Sequence, residues 1–325
     1  LALRQKETQQ QQQKKEKKKK KDVVIWLRID QKSCLKGIAL AGMEIAVVEA
    51  TRDTTKGTAF TAKKKKKKTK DEEKPPGAAD VSSPPHDVLG DELLTDAGAV
   101  EAKLLEVGSE NVLAIVSTTS CFAPRAPDDV EAIGKLCAKY DVRHVVNNAY
   151  GVQCSVTCAS ISRAQRVAKV DLVIQSTDKN FLVPVGGAVI ASGDPDLITH
   201  VAKCYPGRAS ATPTRDLFIT LLHLGRSGWK SLLARREAVV DPFRAKLKAL
   251  AEKRGERLLT CDHNRISCAV SLTTVGHDKN AITKFGSMLF TRCCSGARVV
   301  VPTIRFDDDQ DDDQDGDDSR DGVPA

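Results

Sequence analysis

Two stretches, HVVNNAYG at residues 144–151 and DLVIQSTDKNF at residues 171–181, decide the fold. Each begins as a short apolar run, which predicts a strand of a buried parallel sheet. Each then turns polar, so that Asn147 follows the first run and Lys179 follows the second. Because ligands of such sheets bind at the carboxyl ends of the strands, these polar residues are the first candidates for a functional site.

Short apolar runs alternate with helical periodicity along the chain, which predicts an α/β fold with helices covering a parallel sheet. The expected strands cover residues 23–26, 44–49, 112–116, 144–146 and 171–174. The expected helices cover residues 33–41, residues 100–105, and a segment with Val130, Ile133, Gly134, Cys137 and Tyr140 on one face.

Longer helices are expected after residue 191, with apolar stripes that include Leu217 and Leu247. Asp241 followed by Pro242 is typical of a helix start, which predicts a break there. Apolar and small residues alternate over residues 266–272, which predicts a half-buried strand opening a partial, smaller α+β domain.

Three segments are too polar to build a core. Residues 1–22 are rich in Gln and Lys, residues 51–92 contain a Lys and Pro-rich insert, and residues 307–325 hold ten Asp and one Arg. We expect disorder at both ends and a low-complexity insertion in the middle. The large domain then covers residues 23–50 and 93–225, and connecting helices with the partial small domain cover residues 226–306.

The formal net charge of +8 includes the acidic tail, so the rest of the chain is strongly basic. That excess suits a polyanion such as RNA, although solvated lysine runs produce the same total. The ten cysteines lack the paired spacing of a zinc site or a disulfide scaffold. No apolar run has the length of a membrane span. We therefore expect a reduced, cytoplasmic protein without a bound metal.

A polar, small, aromatic and Gly run after one strand, with a lysine just past the next strand, is the layout of pyridoxal-phosphate enzymes of the aspartate-aminotransferase-like fold (fold type I). An amine must reach the aldehyde of the cofactor, and a neighbouring side chain must reach its ring nitrogen. Lys179 and the run from Asn147 to Gly151 meet these needs. The alternative for Lys179 is an ordinary solvated loop lysine.

Several segments of the sequence also resemble those of a known protein family. The chain contains VVIWLRIDQKSCLKG, STTSCFAPR, VNNAYGVQ, QSTDKNFLVPVGGA, YPGRASATP and GSMLFTR. These strings resemble the O-phosphoseryl-tRNA(Sec) selenium transferase family over about residues 23–49 and 93–301.

The resemblance implies a role for five residues. Lys179 would bind pyridoxal phosphate covalently, and Asn147 would lie at its pyridine nitrogen, where most relatives of this fold have Asp. A neutral amide holds a ring proton less well than a carboxylate does, so the cofactor would withdraw electrons more weakly. Arg208 would contact the substrate phosphate, and Arg166 and Arg292 would contact tRNA.

The implied reaction turns O-phosphoseryl-tRNA(Sec) into selenocysteinyl-tRNA(Sec). Phosphate would leave the β-carbon after Lys179 takes the α-proton, and selenophosphate would then supply selenium. Members of the family are homotetramers that act in selenoprotein biosynthesis, so the same assembly is implied here.

Two alternatives remain open: a pyridoxal-phosphate lyase or desulfurase acting on free amino acids, and a non-catalytic tRNA-binding relative. The family's glycine-rich phosphate loop is not found upstream of Val23. Since the cofactor also needs an anchor for its phosphate, we expect residues 1–325 alone to be inactive.

Overall fold

The computed structural model describes residues 21–29, 31–52, 91–119, 121–205, 207–276, 278–294 and 296–300. The predicted disorder of the two ends, and most of the predicted insertion, lie outside these residues. The described residues divide into two compact units that meet in sequence at Ser271 and Leu272. The domain boundaries derived from the sequence remain predictions.

Helices and strands alternate through the first unit, as the apolar pattern predicts. In chain order the elements are β1 (Val23–Leu27), α1 (Lys32–Leu40), β2 (Glu44–Val48), α2 (Ala97–Val107), β3 (Val112–Thr118), α3 (Val130–Lys139), β4 (Arg143–Asn147), α4 (Ser155–Val167), β5 (Leu172–Ser176), α5 (Thr177–Asn180), β6 (Ala188–Ala191), α6 (Pro195–Lys203) and α7 (Thr212–Lys253).

The six strands form one sheet in the order β2-β1-β3-β4-β5-β6. The first five are parallel to their neighbours, and β6 runs antiparallel to β5. The five strands expected between residues 23 and 174 are all present, so the predicted α/β class is confirmed. The register places Thr118 beside Asn147 and Asn147 beside Ile174. The carboxyl ends of β3, β4 and β5 therefore lie at one edge of the sheet.

Helices cover both faces of the sheet. Successive side chains of a strand point to opposite faces, and in β1 Ile25 packs with the cluster around Leu104 and Ile133, whereas Val24 packs with Met43 at the end of the α1–β2 turn. Full burial of such a side chain contributes roughly 1.5–3 kcal/mol. The apolar face predicted for α3 is buried as expected.

The helix α7 differs from its prediction. The chain continues as a helix through Pro242, and the non-helical backbone lies instead at Gly225, with φ of 58° and ψ of −178°. The predicted start at Asp241 is wrong. Glycine alone adopts that backbone without a steric penalty, which is why the chain turns at Gly225.

The strand predicted over residues 266–272 is also wrong. A single antiparallel bridge joins Leu258 and Val270. The polar groups of this segment bond elsewhere, since Asn264 and Ser267 hydrogen bond to the loop after β3.

The second unit is small. It contains a 3-10 turn at Thr273–Val275 and the helix α8 (Lys279–Thr291). Asp278 caps α8 because its carboxylate accepts hydrogen bonds from the backbone N–H groups of Asn280 and Ala281 at 2.9 Å and 3.3 Å. In the part of the chain that the structure describes, no helix is long and apolar enough to cross a membrane.

Candidate active site

Lys179 lies in α5, a single helical turn that directly follows β5. Its Nζ donates to Ser176 Oγ at 3.1 Å and to the Asp178 carboxylate at 3.3 Å, and lies 5.5 Å from the centre of the Tyr150 ring. The side chain keeps 28% of its exposure. The amine is thus held in place and still accessible to a bound molecule.

Asp178 stays ionised beside this amine. Burial alone would raise the pKa of its carboxyl, but the hydrogen bond from Ser176 and the charge of Lys179 outweigh that effect and hold the pKa below its ordinary value. A carboxylate at this distance attracts an ammonium group and keeps the lysine side chain directed along the turn.

Asn147 ends β4 and has its amide fixed on both sides. Its Oδ1 accepts from the backbone N–H of Ala149 at 3.1 Å, and its Nδ2 donates to Cys34 Sγ at 3.1 Å. Burial raises the pKa of the Cys34 thiol, so the sulfur remains an uncharged acceptor. The side chain therefore has a defined orientation before any ligand arrives.

The loop after β4 is locked to its neighbours. Asn148 is buried, and its Oδ1 accepts from Thr119 Oγ1 at 2.8 Å while its backbone N–H donates to Ile174 at 2.8 Å. At Gly151 an added Cβ would lie 1.6 Å from Asn148 Oδ1. The glycine is required by this close approach.

Asn180 was not singled out from the sequence. It is buried, and its Nδ2 donates to Ser176 O at 2.6 Å and to Ala149 O at 2.8 Å. Its Oδ1 is buried and has no hydrogen-bond partner among the described residues. The only sequence signal was its position next to Lys179.

The loop after β3 lies beside the loops after β4 and β5 at this edge of the sheet. Arg125 and Asp128 form a buried ion pair at 2.6 Å beneath it. Asn264 Nδ2 donates to the carbonyls of Cys121 and Arg125, both at 2.9 Å. These contacts hold Phe122 edge-on to Tyr150, with ring centres 5.6 Å apart.

Below the site, Ser117 and His144 form a buried pair at 2.8 Å. His144 Nδ1 faces the carbonyl of Lys169 at 2.9 Å, so it carries the hydrogen and Nε2 accepts from Ser117. Burial lowers the pKa of His144. Both side chains are fully buried, so a substrate cannot reach the serine, and the pair serves to pack the sheet.

Arg208 and Arg166 lie apart from these contacts. Arg208 is exposed between α6 and α7, and no hydrogen bond or ion pair joins it to a described residue. Arg166 is exposed in the last turn of α4. Arg163, three residues earlier in the same helix, is paired with Glu131 at 2.6 Å.

Arg292 belongs to the second unit. It follows the last residue of α8, and its guanidinium donates to the carbonyl of Met288 at 3.2 Å. The structure thus brings Lys179 and Asn147 to one edge of the sheet, whereas the three arginines remain individual predictions.

Comparisons with known proteins define the class of this fold. The structure of an archaeal O-phosphoseryl-tRNA(Sec) selenium transferase matches with a TM-score of 0.67 and 25% identity, over 85% of this chain and 54% of that chain. An Oryza sativa TDC solved with PLP and tryptamine matches with a TM-score of 0.62 at 12% identity, over 92% of this chain and 58% of that chain. The fold is that of the pyridoxal-phosphate enzymes of fold type I.

The family follows from the sequence. The model of the O-phosphoseryl-tRNA(Sec) selenium transferase family matches residues 12–79 and 85–314. The enzyme of that name from Dictyostelium discoideum is 38% identical over 291 residues, which are 85% of this chain and 53% of the relative. The chain belongs to the O-phosphoseryl-tRNA(Sec) selenium transferase family. It spans about half the length of the curated relatives it matches.

The residues at this edge fit pyridoxal phosphate in their chemistry. The accessible amine of Lys179 and the fixed amide of Asn147 follow neighbouring strands. The amine suits the aldehyde of the cofactor, and the amide suits its ring nitrogen. The unpaired Asn180 Oδ1 indicates a polar site, because a buried acceptor without a donor costs roughly 1–3 kcal/mol. Within the described ranges, no group of three or more His, Cys, Asp or Glu side chains could hold a metal ion.

Proposed function

We propose that the protein converts O-phosphoseryl-tRNA(Sec) to selenocysteinyl-tRNA(Sec), using selenophosphate and pyridoxal phosphate. The observation that carries this proposal is the placement of Lys179 and Asn147 at adjacent strand ends. The family membership of the chain supports the choice of substrate.

Lys179 and Asn147 would hold the cofactor at opposite ends. When bound, pyridoxal phosphate supplies an aldehyde that takes up the substrate amine and a ring that draws electrons from the α-carbon. Lys179 Nζ would hold the aldehyde and, when freed by the substrate amine, would accept the α-proton. Asn147 would contact the ring nitrogen with an uncharged amide, so the ring would withdraw electrons more weakly than with a carboxylate there, which suits elimination of a good leaving group.

Arg208 would bind the phosphate that leaves the β-carbon. Its guanidinium is exposed and follows Gly207, whose φ of 104° makes a turn there. A planar fork of N–H donors matches a phosphate group. This contact would direct the substrate and stabilise the departing charge.

Arg166 and Arg292 would contact the phosphates of the tRNA, as exposed arginines commonly do. We further propose that the protein works in the cytoplasm as a homotetramer, as the family resemblance implies. Each of these statements rests on the family rather than on a contact in the fold.

The test compares two substrates in a protein that carries this chain extended to the length of its relatives. Phosphoseryl-tRNA(Sec) should be converted with selenophosphate, and free O-phosphoserine should not, because a free α-carboxylate usually needs its own arginine clamp. Equal conversion of the free amino acid would favour the lyase alternative.

The same assay tests Arg208. Arg208→Ala should lower conversion roughly 10-fold to 100-fold, the size of a lost charge-assisted contact, with little change in tRNA affinity. Unchanged conversion would remove Arg208 from the leaving group.

A further inference from the structure

Asn180 joins two loops that each carry one predicted cofactor residue. Its Nδ2 donates to Ser176 O, at the start of the turn that holds Lys179, and to Ala149 O, in the loop that Asn147 opens. The distances of 2.6 Å and 2.8 Å are those of good hydrogen bonds. The bond to Ser176 O fixes the side chain to its own turn, and the bond to Ala149 O connects that turn to the loop after β4.

Other contacts between the two loops are weaker. Gln153 Nε2 approaches the carbonyl of Lys179 at 3.4 Å, and the Lys179 amine lies 5.5 Å from the centre of the Tyr150 ring. Asn180 is only 6% exposed, so water does not compete freely for its hydrogen bonds. Its amide is the shortest side-chain link between the two loops among the described residues.

The unpaired oxygen of Asn180 adds a second observation. Buried polar atoms in proteins are nearly always hydrogen-bonded, yet Oδ1 has no partner among the described residues. An apolar side chain would fill the same space without leaving an acceptor unpaired. The presence of an amide is explained by its two donated hydrogen bonds, which an apolar side chain cannot make.

We propose that Asn180 is a positioning residue that couples the Lys179 turn to the Asn147 loop. It sets the separation of the Lys179 amine and the Asn147 amide, so that both reach the same small ring. This inference rests on the proposed function for its ligand, whereas the coupling itself concerns only the two loops.

The first measurement needs no cofactor. Hydrogen exchange is followed at residues 147–153 and 176–181 of the full chain. The Asn180→Ala variant is compared with the parent and with a control, Asn280→Ala. The Asn280 side chain is exposed on α8. Asn180→Ala should speed exchange about tenfold in both segments, the effect of losing an ordinary hydrogen bond. Exchange in β3 and in the Asn280→Ala control should stay at the parental rate.

The second measurement uses pyridoxal phosphate. The chain, extended to the length of its relatives, is titrated with it and reduced with borohydride, and the pyridoxyl group on Lys179 is quantified by peptide mass spectrometry. Asn180→Ala should raise the apparent Kd about tenfold. Asn180→Ser, which keeps one donor in a smaller side chain, should fall between the parent and Asn180→Ala, and replaces the alanine variant if that variant does not fold.

The outcomes separate the two proposals. An extended parent protein that takes no pyridoxyl group at Lys179 contradicts the proposed function, and the exchange data then test the coupling alone. Faster exchange in one segment only, or in neither, overturns the inference about Asn180. Faster exchange in both segments with an unchanged Kd overturns its positioning role.

Discussion

At the scale of single residues, the site depends on close approaches between backbone segments. Gly151 is the clearest case, because the added Cβ of an alanine would overlap Asn148 Oδ1. Asn148 in turn holds Thr119 of the loop after β3. Moving either residue disturbs two strand ends at once.

We therefore expect Gly151→Ala to lower the free energy of unfolding by about 2 kcal/mol or more, as overpacked buried sites do. Gly37→Ala is the matched control, because Gly37 is in α1 and nothing lies within 4 Å of its added Cβ. It should be neutral or stabilise by about 0.5–1 kcal/mol. Urea denaturation of both variants checks this, and equal effects would contradict the account of Gly151.

The sequence predicted Lys179 and Asn147 because each follows an apolar run. Apart from the position of Asn180 next to Lys179, the roles of Asn180 and Cys34 were not predictable, since they depend on which loops meet after folding. Asn180 contacts Ala149, which is 31 positions away in the chain. Only the strand order brings such residues together.

At the scale of elements, the strands were predictable and the long helix was not. A short continuous apolar run locates a buried strand within a residue or two, whereas the bend of α7 depends on one backbone conformation at Gly225. The sequence pair Asp241 and Pro242 is typical of a helix start, but the helix continues through both residues.

Gly225→Ala should destabilise the protein by about 1–3 kcal/mol, because its φ of 58° and ψ of −178° are accessible almost only to glycine. Gly228→Ala, in the same helix, should instead be neutral or stabilising by about 0.5–1 kcal/mol. Its added Cβ would meet Leu224 at an ordinary 3.5 Å. Thermal or urea unfolding distinguishes the two, and a stabilising Gly225→Ala would show that the bend is not needed.

The end of the predicted insertion belongs to the fold. Asp91 accepts two hydrogen bonds from Arg257, at 2.5 Å and 2.7 Å. Glu92 accepts from His263 Nδ1 at 2.6 Å. These ion pairs could not be predicted from the sequence, because a carboxylate in a solvated charged segment and a carboxylate in an ion pair have the same sequence pattern.

The Glu92–His263 pair makes stability depend on pH. The hydrogen bond to Glu92 raises the pKa of His263 above its ordinary 6.5. Burial raises the pKa of Glu92, but the hydrogen bonds from His263 outweigh it and keep the pKa below its ordinary 4.5. The contribution of His263 to stability is complete below the pKa of the histidine in the unfolded chain, and it is lost as the pH rises through the pKa in the folded protein. The contribution of Glu92 to stability is lost as the pH falls through the pKa of the glutamate in the folded protein.

His263→Ala should therefore cost most between about pH 5 and 6, and no more than about 1 kcal/mol because the pair is half exposed. The cost should fade above about pH 7 as the histidine loses its charge. The exposed His223→Ala serves as control. A cost that is the same at pH 5.5 and pH 8 would contradict a charged pair.

At the scale of the whole molecule, the proposed RNA contacts can be tested separately from the proposed cofactor site. Arg166 is exposed at the end of α4, whereas its neighbour Arg163 is paired with Glu131. Arg166→Ala and Arg292→Ala should each flatten the log-log salt dependence of tRNA(Sec) binding by about one unit or less. Arg163→Ala should change the slope less, and an unchanged slope in both test variants would remove them from the RNA interface.

The central claim is that Lys179 is the lysine that binds the cofactor. The most direct test is to incubate the chain, extended to the length of its relatives, with pyridoxal phosphate, reduce it with borohydride and map the modified peptides, with Lys179→Ala in parallel. The account predicts that the pyridoxyl group is found preferentially at residue 179 and that the visible absorbance of the complex is lost in the variant. Modification spread over the surface lysines, with none preferred and no change in Lys179→Ala, would contradict it.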